Sequence, residues 1–143
     1  MKVRRVLRFV GAAVLALIAW CVVGEGVHSF LMKFVLGAAS PAEVGSMSRL
    51  WRLSALVAYP IASGVAGGIG GLFGMRRPWL WGAVAGGVPS VSSTVITYLF
   101  TRSMVPGATV ALVIGMLLSV AAAALGGGVA AILLRRYRAG GRG

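Results

Sequence analysis

Residues 63–87 read SGVAGGIGGLFGMRRPWLWGAVAGG, two glycine-rich apolar runs that meet at a single charged point, Arg76–Arg77. Soluble helical hairpins carry polar residues along their whole outer faces, whereas here polarity is confined to the joint. Apolar runs of this length with cations only at their ends are what a bilayer demands of a helical hairpin.

The rest of the chain extends that pattern. It has 143 residues, 59% of them hydrophobic, and a mean hydropathy of +0.95. A soluble chain of this length has too little interior to hide so much apolar surface. Four spans are predicted, at residues 6–24, 53–75, 78–101 and 108–134. The second corresponds to about 35 Å of helix, enough to cross a hydrocarbon core of roughly 30 Å, and the fourth is long enough to tilt. Residues 25–52 form the one long connection. Within it Phe30, Leu31, Phe34 and Val35 share a face, which fits either a short interfacial helix or an extension of the first span, and Ser40-Pro41 then breaks the chain. The expected fold is therefore an all-α integral membrane protein, a single domain of four transmembrane helices in a glycine-rich bundle.

Charge sets its orientation. Lys2, Arg4, Arg5, Arg8, Arg76, Arg77, Arg135, Arg136, Arg138 and Arg142 fall on one side, against Lys33, Arg49, Arg52 and Arg102 on the other. The positive-inside bias makes both termini cytoplasmic, with Arg4, Arg5, Arg76, Arg77, Arg135 and Arg136 as anchors in the cell membrane, a bacterial cytoplasmic membrane by this reading. The tail at 135–143 is the last of these anchors. Trp20, Trp51, Trp79 and Trp81 fall near span ends, where amphipathic rings collect. The alternative for the first span is a cleaved signal peptide, against which its long apolar stretch counts.

In a bilayer, helices associate through close backbone approach rather than apolar burial. Small-xxx-small pairs occur at Gly64 and Gly68, Gly67 and Gly71, and Gly70 and Gly74; Gly82 and Gly86 make another. Gly115, Ser119, Ala123 and Gly127 continue as a glycine zipper, one small residue every four positions. These faces serve either packing within one bundle or contact with a second copy or another membrane subunit.

The polar candidates are few. In the third span Ser90, Ser93, Thr94, Thr97 and Thr101 form a hydroxyl stripe, and Pro89 beside them frees a backbone carbonyl. Such a set suits a path for a small solute or ion, or else hydrogen bonds between helices. Pro60 marks a second kink. Glu25 and His28 make a lone E-x-x-H, which lacks the repeats a metal bundle needs. Cys21 lies within an apolar run, where a buried, unactivated thiol is inert.

With Glu25 and Glu43 the only acids and no Asp, Asn or Gln, the sequence predicts no enzyme activity, metal or cofactor. The net charge of +12 sits at span ends, so its expected counterpart is the anionic headgroups of a bilayer and not nucleic acid. The expected role is association, as a homo-oligomer or an accessory subunit of a membrane complex. The alternatives are a minimal channel or carrier using the stripe and, from the basic tail's composition, a holin-like lesion former.

Overall fold

The computed structural model describes residues 2–35, 52–73, 77–101 and 108–140, and these are helical apart from Arg77. We label the helices α1 (Lys2–Phe30), α2 (Tyr59–Phe73), α3 (Pro78–Thr101) and α4 (Ala108–Gly140). Five-residue π-helical turns extend α1 at Leu31–Val35 and lead into α2 at Ser54–Ala58. Gly74, Arg76, Glu43, Trp51 and the Ser40-Pro41 break lie outside the described residues, as do residues 141–143 of the basic tail.

Three of the four helices are long and apolar enough to cross a membrane: Val6–Lys33, Ala55–Phe73 and Thr109–Gly140. The sequence predicts four. α3 has the length, at 24 residues, but its glycines, prolines and hydroxyls dilute the apolar content.

The first helix does not end at Gly24. It continues through Glu25 and His28, and Leu31 is buried against Ala58 of the π-turn ahead of α2, with Val27, Met32 and Val57 around the pair. That contact makes residues 30–35 an extension of α1 rather than a separate interfacial helix. It also changes the position of Trp20. Ten residues, about 15 Å of helix, separate Trp20 from the end of α1, so it lies well inside the helix. Its ring stacks on Tyr59, with centroids 5.8 Å apart, and Nε1 donates to Ser63 Oγ at 3.1 Å. Cys21, next to it, is exposed on the outer face of α1 rather than buried.

The helices run up and down in turn. Gly64 lies against Ala122 and Gly71 against Gly127, so α2 and α4 are parallel, while Gly82 and Gly86 of α3 meet Ala123 in the reverse sense. α2, α3 and α4 form the tight unit; α1 lies mainly on α2 and touches α3 lightly. The interior is made of small residues. Its largest wholly buried side chains are Ser63, Ser90 and Ser119, whereas Leu7, Val22, Leu117 and Leu125 are more than half exposed. This is the reverse of a water-soluble core and fits helices long and apolar enough to cross a membrane.

Pro60 sits at the second position of α2, directly after the π-turn, where a lost amide donor is tolerated. Pro89 lies inside α3, and the helix continues through it.

Candidate functional site: a lateral groove between α1 and α3

The small-residue rows face each other within the chain. A Cβ placed on Gly82 would lie 2.6 Å from the Ala123 carbonyl oxygen and 2.8 Å from Gly127 Cα; on Gly127, 2.5 Å from the Pro78 carbonyl oxygen. Gly67 and Gly71 abut the backbones of Ala123 and Gly127, Gly86 abuts the Ser63 carbonyl, and Gly115 the Ala55 carbonyl. Gly64 and Gly68 make ordinary contacts with Ala122 and Gly126. Gly115, Ser119, Ala123 and Gly127 are all buried. Every described glycine of α2 thus has an atom of another helix beside it. Gly11, Gly26 and Gly128 have none within 4 Å.

The hydroxyl stripe divides into two rows four residues apart. Gly82, Gly86, Ser90 and Thr94 are buried, on the line that packs against α2 and α4. Ala85, Pro89, Ser93 and Thr97 form the neighbouring row and are half-buried. One row lies about 60° round the helix from the other, enough to place one in the seam and the other outside it. Ser90 Oγ finds no hydrogen-bond partner among the described residues. Ser119 Oγ, by contrast, donates to the Gly115 carbonyl at 2.7 Å. The side chain of Thr101 lies outside the described residues.

The outer row lines a cavity. Because α1 leans on α2 and barely meets α3, a groove of about 620 Å³ remains between them. Phe9, Ala12, Ala13, Leu17 and Trp20 of α1 form one wall; Trp81 to Thr97 of α3 form the other, and Gly70 and Phe73 of α2 contribute the base. The volume is within the range of roughly 300–1,000 Å³ typical of small-ligand sites. Phe9, Leu17, Val88, Ser92 and Ile96 are exposed, so the groove opens sideways, toward what surrounds the bundle.

Its polar groups are neutral. Ser92, Ser93 and Thr97 supply hydroxyls. Pro89 cannot donate to the carbonyl four residues back, so the Ala85 carbonyl, on the same wall, lacks its helical donor. Ser92 is outside the stripe as the sequence reads it, since the groove wall is broader than one i, i+4 row. The indole of Trp20 is engaged with Ser63, which leaves the ring face for contact.

At one end the walls are joined by an edge-to-face contact between Phe9 and Trp81, ring centroids 4.7 Å apart. Arg8 precedes Phe9. Arg77 stands one turn before Trp81, whose amide donates to the Arg77 carbonyl at 3.2 Å. Both arginines are exposed and adjoin this ring contact in the chain, outside the groove's own lining.

Elsewhere, Glu25 is exposed and His28 half-buried on α1. Among the described residues no three His, Cys, Asp or Glu side chains come together. Comparison with known proteins finds no matching family model, no similar curated protein and no similar solved structure.

Proposed function

We propose that this protein is a non-enzymatic, four-span integral membrane protein with both termini cytoplasmic, and that it holds a single apolar chain from the bilayer in the α1–α3 groove. The observation that carries the reading is the groove itself: about 620 Å³, opening sideways, with apolar walls and hydroxyls only at Ser92, Ser93 and Thr97. A chain entering sideways from lipid leaves no water-borne surface behind and needs only weak polar contacts. α3, though less apolar than its neighbours, spans the membrane packed against both α2 and α4, with Ser90 and Thr94 turned inward and Ser92, Ser93 and Thr97 lining the groove. In this reading the outer part of the stripe, Ser93 and Thr97, serves the groove, while Ser90 and Thr94 are closed within the bundle.

Tryptophan quenching tests this. With Trp51, Trp79 and Trp81 replaced by Phe, the remaining Trp20 reports on the groove. Phospholipids brominated in mid-chain should quench Trp20, and Ala13→Phe, which fills the groove from α1, should protect it. Equal quenching in both proteins would count against a chain in the groove.

The second reading is association, as a homo-oligomer or an accessory subunit. It is favoured by α1, only 11% buried over its apolar window against 39% and 33% for the spans at α2 and α4. A partner helix would lie along α1 rather than on the glycine rows. Native mass spectrometry of the gently extracted protein separates the two: a defined protein complex supports association.

A further inference from the structure

The groove has an apolar body, and the Phe9–Trp81 contact at one end of it is flanked by the exposed Arg8 and Arg77; the two features together specify more than an apolar chain. We infer that its occupant is a membrane phospholipid with an anionic phosphate headgroup, one acyl chain between α1 and α3 and the phosphate at Arg8 and Arg77. This rests on the groove holding a bilayer chain, as proposed above.

Placement supports it. The Phe9–Trp81 contact fixes the start of α1 beside the start of α3, which brings the exposed Arg8 and Arg77 to the same end of the groove. Among the described residues no acid lies near them. Glu25, the only described acid, is 16 residues beyond Phe9 on α1, about 24 Å away along the helix. At the other end of the groove the lining is neutral, ending at Trp20, Ile96 and Thr97. The lining itself is uncharged throughout, and the two arginines stand just beyond the Phe9–Trp81 end of it.

The dimensions match. From Trp81 to Thr97 the α3 wall runs about 24 Å, and from Phe9 to Trp20 the α1 wall runs about 16 Å. Both exceed the roughly 15 Å of one leaflet of a 30 Å hydrocarbon core, so a chain whose headgroup sits at the mouth remains against protein throughout its depth. The mouth also lies on the side where the basic residues collect, the side that meets the anionic leaflet. Two arginines near such a surface favour an anionic over a zwitterionic lipid by roughly thirtyfold in total. Arginine also matches phosphate by bidentate hydrogen bonding.

The test is native mass spectrometry of the full chain released from nanodiscs containing equal amounts of phosphatidylglycerol and phosphatidylcholine. The wild type should retain phosphatidylglycerol, with its preference falling roughly thirtyfold in R8Q/R77Q and only partly restored in R8K/R77K, which keeps the charge but loses the bidentate fit. Ala13→Phe should lose retained lipid of either kind while remaining folded, judged by circular dichroism. A wild type that keeps both lipids equally would overturn the headgroup assignment and leave the groove reading standing. A wild type that keeps none, or an Ala13→Phe variant that keeps as much as wild type, would overturn both. A second polypeptide in place of lipid, lost on Ala13→Phe, would assign the groove to a partner helix and overturn the proposal.

Discussion

Gly82→Ala and Gly128→Ala make the same chemical change in helix interiors, yet the structure predicts opposite consequences. At Gly82 the new methyl would lie 2.6 Å from the Ala123 carbonyl oxygen, 2.8 Å from Gly127 Cα and 3.0 Å from the Gly67 carbonyl oxygen. All three are backbone atoms, on two neighbouring helices, and no rotamer change removes them. Restoring contact distances of about 3.5–4.0 Å requires α3 to withdraw from α2 and α4 by about 1 Å. Overpacking of this kind costs about 1–3 kcal/mol. At Gly128 nothing lies within 4 Å, so the methyl meets only open space. Any gain in helix propensity, about 1 kcal/mol from Gly to Ala, is shared by both variants and cancels in their difference. For a chain of this size, 1–3 kcal/mol corresponds to a melting-temperature gap on the order of 3–10 °C. Thermal unfolding in one detergent, followed by tryptophan emission, measures it. Equal melting temperatures, or a lower value for Gly128→Ala, would refute the packing of α3 between α2 and α4.

Other changes probe separate contacts. Ser90→Ala removes a buried hydroxyl without a partner and should leave stability unchanged or raise it by up to about 1 kcal/mol, read in the same melt; a loss above that would mean a hydrogen bond is present. Ser63→Ala deletes the acceptor for Trp20 Nε1 and should loosen α1, costing about 0.6–1.7 kcal/mol and shifting Trp20 emission, with Trp20→Phe adding little on top. Pro89→Ala returns a donor to the Ala85 carbonyl and should straighten α3, changing the distance between spin labels at Leu17 and Ile96 measured by electron–electron resonance. Reporter fusions at the C-terminus should be active only for a cytoplasmic enzyme, and the reverse result would invert the orientation.

The readable parts of this molecule are those set by local periodicity. Gly115, Ser119, Ala123 and Gly127 declare a close-approach row by their spacing alone, and the row is buried. What the row touches depends on how three helices are arranged, so its partners in α2 and α3 were not legible. The hydroxyl stripe shows the limit of a single-helix projection. Ser90 and Ser93 share a face on a helical wheel, but a seam between two neighbours is narrower than that face, and the residues part. Gly24, Glu25 and Gly26 resemble a helix boundary just beyond Trp20. The helix passes them since Leu31 beyond finds burial against Ala58. The groove has no sequence signature. It exists because the Ala12, Ala16, Trp20 and Gly24 row brings α1 onto α2 while the bulkier Phe9 and Trp81 set its distance from α3.

The most direct test of the central claim is a density map of the full chain in a nanodisc of its native lipids. The expected map shows an elongated, chain-shaped density between α1 and α3, running from the Phe9–Trp81 contact toward Trp20 and Thr97, with a headgroup beside Arg8 and Arg77. A groove closed by α1 packed flush on α3, or filled by a helix of another polypeptide, would contradict it.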